Sequence, residues 1–397
     1  MRGFDISDLT ELSDEQGQII EMVRDFVDRE VKPNAPDLEH ADEYPHAMVD
    51  RMKELGLFGV TIPEQYGGAG LDLLTYALVQ VELSRGWMSL SGVLNTHFIS
   101  AWMIKSFGTE SQRETYLPKM ATGEHHCGYS MTEPQAGSDV QAIRTRARRD
   151  GDEFVIDGQK MWATNGFHSD MIMLLAKTED TEPAHRGMTA FIIEKQPAVE
   201  SQPGLTVPPK LRKLGYKGVE STELVFDGFR TPASSVLGGE ACVGEGFKQF
   251  ISGIELGRCN IAARAVGIAT AALDEAIAYA KEREAFGRPI ADHQLIQQKL
   301  AQMAVRLQAS RLLMLDAVKA KDAGRRADLQ AGMAKLFATE TAAWVALESM
   351  RVHGGYGYSQ EYLVERLYRD APLLILGEGT NEIQQLVIAR RLLELAA

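Results

Sequence analysis

Proline is unevenly spread along this chain, and the unevenness sets where long helices can lie. Twelve of the fourteen prolines precede Gly238, and only Pro289 and Pro372 follow it. Because proline lacks a backbone donor and clashes with the preceding helical turn, a proline-poor tail rich in Ala, Leu, Glu, Lys and Arg favours long helices. The pattern predicts them at about 244 to 283, 292 to 322, 327 to 352 and 381 to 395, with a short one near 360 to 368. Antiparallel packing of the four long ones makes a bundle.

The first third also reads as helical. Ser13 followed by Gln16 is a capping-box pattern, and Ile19, Ile20, Val23, Phe26, Val27 and Val31 share one face of a helix that Pro33 is expected to end. Further helices are expected at roughly 46 to 55, 71 to 85, 92 to 107 and 110 to 122. From Gly123 the pattern turns to strands: Glu153 to Trp162 reads as a hairpin turning at Asp157-Gly158, with strands at Met171 to Ala176, Thr189 to Glu194 and Thr222 to Phe226. The expected fold is therefore α+β: a helical domain over 1–122, a β-barrel or sheet domain over 123–238 and a four-helix bundle over 239–397.

With 397 residues, 45% of them hydrophobic, the chain can bury a sizeable core, and a formal charge of −13 argues against nucleic acid or an anionic membrane as main partner. Three scattered cysteines, Cys127, Cys242 and Cys259, predict no disulfide. His125-His126-Cys127 lacks a second ligand pair at zinc spacing, so no metal is expected. Met1 to Asp8 shows no signal or transit pattern, and Arg264 interrupts the longest small-apolar stretch, Ile261 to Ala272, so the protein is expected in the cytoplasm.

Five segments carry chemistry. In Arg369 to Gln384, Glu378 stands between Gly377 and Gly379 on a turn before an amphipathic helix, where Leu373 to Leu376 would exclude water and raise the carboxylate's pKa. That is how a proton-abstracting base is held; a surface Glu near a helix start is the plainer alternative. Tyr129 to Val140 combines hydroxyls at Thr132 and Ser138 with backbone exposed around Ala136-Gly137, suited to a carbonyl or phosphate, or simply to a polar turn. Trp162, ahead of Thr164, reads either as a core aromatic or as a plate against a flat heterocycle. Arg283, Phe286, Arg288 and His293 suit phosphates and an adenine ring, or a helix end carrying cations. The glycine-rich stretch His353 to Tyr358 follows no strand and is no Rossmann fingerprint.

Together these motifs, in this order, resemble the acyl-CoA dehydrogenase family over almost the whole chain. The matching stretches are Tyr129 to Ser138, Trp162 to Thr164, Arg283 to Gly287 with His293-Gln294, Arg351 to Gly355 and Glu378 to Glu382. The resemblance implies FAD-dependent α,β-dehydrogenation of a CoA thioester to the trans-2-enoyl product, with Glu378 taking the α-proton and flavin N5 the β-hydride. It assigns Tyr129, Met131, Thr132, Gly137, Ser138, Trp162, Ala163 and Thr164 to FAD of the same subunit, with Thr380 and Glu382 also at the cofactor. Arg283, Phe286, His293, Gln294, Arg351, Gly354 and Gly355 would reach FAD from a neighbouring subunit of a homotetramer, a dimer of dimers. Ser138, Glu255, Arg258 and Gly379 would touch the substrate, although Glu255 and Arg258 also fit an i,i+3 charged pair within a helix. An electron-transferring flavoprotein is the implied acceptor, and a flavin-dependent oxidase or monooxygenase of the same fold is the alternative.

Some relatives carry the base just before the arginine matching Arg258; here that residue is Gly257, leaving Glu378 alone. Gly377 replaces a frequent Tyr, Ala163 a bulkier aliphatic residue and Arg351 a common Gln. The two smaller residues imply a roomier pocket and a branched, cyclic or otherwise bulky acyl group.

Overall fold

The computed structural model describes residues 9–208 and 210–396; Met1 to Asp8, where a targeting signal was sought, lie outside them. The capping box forms as expected, with Ser13 and Gln16 bonded reciprocally at the start of α1 (Asp14–Phe26). Pro33 does not end this helix. A π-helical turn, Val27–Val31, leads straight into α2 (Lys32–Ala41), so Pro33 falls in the first turn of α2, where a missing N–H costs no intrahelical bond. The helices α3 (His46–Glu54), α4 (Leu73–Gly86), α5 (Met88–Phe107) and α6 (Glu110–Thr122) follow. Every residue of α5 from Met88 to Ala101 is buried, which makes it the axis of this part of the molecule.

One eight-stranded sheet comes next, with strands β1 (Cys127–Ser130), β2 (Arg146–Asp150), β3 (Glu153–Thr164), β4 (Met171–Lys177), β5 (Met188–Glu194), β6 (Ser201–Gln202), β7 (Leu205–Thr206) and β8 (Ser221–Pro232). Its order is β1-β4-β2-β3-β8-β7-β6, with β5 on β4; β4 runs parallel to β1 and β2, and the other pairings are antiparallel. Asp157-Gly158 is not a turn. The chain reverses at Gly151-Asp152 and β3 runs unbroken through Gly158, where the register with β8 shifts at φ 144° and only glycine fits, since a Cβ there would stand 2.6 Å from Thr145.

The remainder is helical: α7 (Gly246–Glu282), α8 (Gln294–Asp322), α9 (Asp328–His353), α10 (Leu363–Leu376) and α11 (Asn381–Leu395). Helix α9 packs on each of the other four. The helix expected to be short runs on to Leu376 with Pro372 inside it, because Val364, Leu367, Ala371 and Leu374 form one buried stripe that repays the lost backbone bond. Between α7 and α8 a small hairpin, β9 (Glu284–Ala285) and β10 (Arg288–Pro289), turns at Phe286-Gly287, both at positive φ. Cys127, Cys242 and Cys259 are free. Among the described residues no helix is long and apolar enough to cross a membrane.

Candidate active site

Glu378 lies in the short loop between α10 and α11 in the left-handed region, at φ 54°, beside Gly379 at φ 81°. Such a conformation strains a residue with a side chain and persists only when its surroundings enforce it. The enforcing group is Lys335 of α9, fully buried, which donates to the carbonyl of Ile375 (2.8 Å) and to Asn381 Oδ1 (2.7 Å), tying the last turn of α10 to the first of α11. Gln384 adds a bond to the carbonyl of Gly379 (3.0 Å), and Thr380 caps α11 by accepting from the Ile383 amide.

The Glu378 carboxylate points between α5 and α7. Asn95 Nδ2 donates to its Oε1 (3.2 Å), and Asn260 Nδ2 donates to Asn95 Oδ1 (2.8 Å), so the second amide orients the first. Gly257 faces the same oxygens: a Cβ at 257 would stand 2.6 Å from Oε2. Burial pushes the Glu378 carboxyl above its usual range, against the opposing pull of Asn95, Arg264, Arg258 and Lys335. The shielding thus comes from α5 and α7 rather than from the whole apolar run, since Leu376 is 63% exposed.

Helix α5 also holds the end of β3. Asn165 Nδ2 bonds Thr96 Oγ1 (2.7 Å) and the carbonyl of Val93 (3.1 Å), and Glu220 accepts from the amides of Phe167 and His168, fixing the turn after Thr164. A second bulge, between Lys160 and Ala163, puts Trp162 at φ 63° and leaves it 53% exposed, so it is a surface plate and not a core aromatic. Ala163 is the opposite case: its side chain is buried in the sheet core, so its small size does not widen a cleft. The Tyr129 to Val140 loop is anchored by the buried pair Glu133–Lys160 (2.9 Å), and the Met161 amide bonds the carbonyl of Thr132, which brings Thr132 beside Trp162. Burial raises the Glu133 carboxyl, yet Lys160, Thr145 and the Arg144 amide outweigh it and hold it at about 2. Lys160 also donates to the Met131 carbonyl, Tyr129 donates its hydroxyl to the Phe250 carbonyl, and Gly137 and Ser138 are exposed.

Arg283, Phe286, His293, Gly354 and Gly355 meet in one pocket of about 690 Å³ whose lining includes none of Thr132, Ser138, Trp162 or Thr164. Phe286, at the hairpin tip, is 96% exposed. Gln294 and Arg351 lie outside that lining, Gln294 exposed at the start of α8 and Arg351 ion-paired with Glu348. Glu382 is exposed in the first turn of α11. Glu255 does not form the i,i+3 pair: it binds Lys321 (2.9 Å), while Arg258 Nε has no hydrogen-bond partner among the described residues. One trio of metal-type side chains, Glu39, His40 and Glu365, comes together, but Arg369 donates to both of its carboxylates.

Sequence reasoning missed Asn95, Asn260, Lys335, Glu133 and Lys160. Single polar residues inside apolar helices and strands were the available signal, without an indication of what they meet.

A helical front, a mixed sheet and a helical bundle thus surround one sequestered carboxylate, the arrangement of an enzyme site. Comparison makes the class specific. The chain matches the family models for the acyl-CoA dehydrogenase N-terminal domain at residues 13–124, middle domain at 128–229 and C-terminal domain at 244–393. It is 42% identical to an acyl-CoA dehydrogenase of Bacillus subtilis, covering 96% of this chain and 99% of that one. It is 40% identical to the (2S)-methylsuccinyl-CoA dehydrogenase of Cereibacter sphaeroides over 94% of this chain and 70% of the relative. The solved butyryl-CoA dehydrogenase of Megasphaera elsdenii superposes with a TM-score of 0.91 at 34% identity, over 97% of this chain and 99% of that one. The chain belongs to the acyl-CoA dehydrogenase family.

Proposed function

We propose that this protein dehydrogenates a CoA thioester between Cα and Cβ, with Glu378 as the base that takes the α-proton. The observation that carries the reading is the carboxylate itself: strained into the left-handed region, oriented by Asn95, closed in by Gly257 and rendered more basic by burial. Family membership implies FAD, and the chain offers two fitting surfaces. One is the exposed Trp162 plate next to Thr132 and Thr164; the other is the pocket with the Arg283 guanidinium, the Phe286 ring and the Gly354-Gly355 backbone.

When bound, FAD supplies the acceptor for the two electrons and the hydrogen leaving Cβ. The residues of this chain hold and shield. Asn95 holds the Glu378 carboxylate between α5 and α7, and Lys335 prevents the loop from relaxing out of its strained shape. Since the second pocket shares no lining residue with the Trp162 surface, a neighbouring subunit bringing Arg283, Phe286, His293, Gln294, Arg351, Gly354 and Gly355 to the first subunit's cofactor fits the geometry. A homotetramer, with an electron-transferring flavoprotein as acceptor, belongs to the same reading. Gly377 leaves room beside the base, since a Cβ there would meet only the Leu373 carbonyl at 3.4 Å, which favours a branched or bulky acyl group.

The test is anaerobic flavin bleaching by a panel of CoA thioesters with wild-type protein and Glu378→Gln. The variant should retain FAD and bind thioester while its flavin reduction falls by at least about a hundredfold. Near-normal reduction would refute the assignment, and reoxidation of reduced enzyme by air within seconds would favour an oxidase instead.

A further inference from the structure

Helix α7 presents Gly257, Asn260 and Arg264 on one stripe, at the i, i+3, i+7 spacing of a single helix face. The first faces the base, and the second reaches it through Asn95. Arg264 is two turns further, about 10 Å along the axis; helical side chains lean toward the N-terminal end, the end nearer Glu378, and Arg264 is among the cations that act on the Glu378 carboxyl. It is 2% exposed, and its Nε and Nη2 have no hydrogen-bond partner among the described residues. The Tyr216 ring supports it from one side, 5.1 Å away. Tyr216 fits because position 92 is glycine: a Cβ there would stand 1.8 Å from the Tyr216 hydroxyl.

A guanidinium remains charged at any working pH, and burying it without a counter-ion costs several kcal/mol. Beside Tyr216, whose side chain also interacts with the guanidinium, Nε and Nη2 remain without a partner, and those two atoms form an edge that clasps a carboxylate in a two-pronged pair. The one carboxylate of the reaction whose ionisation Arg264 assists is Glu378, and that charge vanishes when Glu378 accepts the α-proton. A second anion, carried in by the substrate, would leave Arg264 paired throughout the reaction.

We propose that Arg264 is a specificity-determining residue that binds a carboxylate at the far end of a short acyl chain, making dicarboxylyl-CoA thioesters the preferred substrate class. The inference rests on the dehydrogenase reading above and deepens it. The distal carboxylate makes and breaks no bond; it positions Cα beneath Glu378.

The experiment is anaerobic flavin bleaching with succinyl-CoA, 2-methylsuccinyl-CoA and glutaryl-CoA against butyryl-CoA and isobutyryl-CoA, using wild type, Arg264→Met and Arg264→Lys. Wild type should favour at least one dicarboxylyl thioester by roughly tenfold or more in kcat/KM, Arg264→Met should lose that preference, and Arg264→Lys should keep part of it. A wild-type preference for butyryl-CoA or isobutyryl-CoA overturns the proposal while leaving the dehydrogenase reading intact. So does an Arg264→Met variant whose selectivity ratio is unchanged and whose pH profile alone moves, because Arg264 would then serve only Glu378. If Arg264→Met does not fold, the wild-type panel decides alone; if no thioester bleaches the flavin, the parent reading fails and this one with it.

Discussion

Gly257 and Glu378 occupy one spot from two elements: the α7 backbone passes so close that a Cβ at 257 would stand 2.6 Å from Glu378 Oε2. The absence of a side chain at 257 is what gives the Glu378 carboxylate its seat. Gly257→Ala should therefore move the carboxylate, the far end of a flexible side chain, and leave the fold intact. The flavin-reduction rate should fall by about tenfold to a hundredfold while the melting temperature changes little. An alanine variant with unchanged kinetics would show that the carboxylate is not seated there.

Asn95 donates to Glu378 and is itself oriented by Asn260. The other groups facing the carboxylate are Arg258 and Arg264 on α7, Lys335 on α9 and Tyr129 on β1. Burial raises the Glu378 carboxyl and the Asn95 bond opposes that rise, so Asn95→Leu should move the acid limb of the reductive rate to higher pH. In the proposed role Glu378 works only when ionised, hence the rate should climb with pH in both proteins, later in the variant. Stopped-flow flavin reduction from pH 5 to pH 9 reads the limb directly; coincident profiles would exclude a tuning role.

Lys335 joins Ile375 and Asn381 across the Glu378 loop while fully buried. Burial lowers its pKa to about 8, which still leaves it largely protonated at neutrality. Lys335→Met removes the cation and leaves the Ile375 carbonyl without its donor, while Asn381 Oδ1 keeps only its bond from Thr339, so thermal or denaturant unfolding should report a loss of about 1 to 3 kcal/mol. The loop's strain should relax as well, and flavin reduction should slow even in the folded fraction.

Acid should weaken the protein through Glu133 and Glu220, both almost fully buried and held at about 2. Burial pushes each upward, but Lys160 for the first and His168 for the second win. Because the folded values lie below the unfolded ones, their stabilisation is complete above about pH 4.5 and is lost as pH falls toward 2, at up to about 3 kcal/mol each. Equilibrium unfolding of wild type between pH 6 and pH 3 should show that decline, and Glu220→Gln should flatten it. An equal slope in the variant would mean that other carboxylates dominate.

Much of the architecture was legible in one dimension. The scarcity of proline after Gly238 marks the long helices, Ser13 and Gln16 mark a helix start, and the glycines around Glu378 mark a strained turn. These are local signals, carried by residues close together in the chain. Errors arose where distant packing overrode local preference: Pro33 sits harmlessly after a π turn, Gly158 bulges within a strand, and Pro372 rides inside a helix whose buried stripe compensates for it.

The sequence alone determined that a single acidic side chain would stand on a glycine-flanked turn, since backbone freedom and side-chain chemistry are properties of the residues themselves. Only the tertiary structure decided what that side chain meets. Asn95, Gly257, Arg264 and Lys335 come from three other helices, and the sequence around each does not tell that it faces Glu378. Their effect on Glu378 depends on distance and burial, quantities that exist only after the chain has folded and water has been displaced.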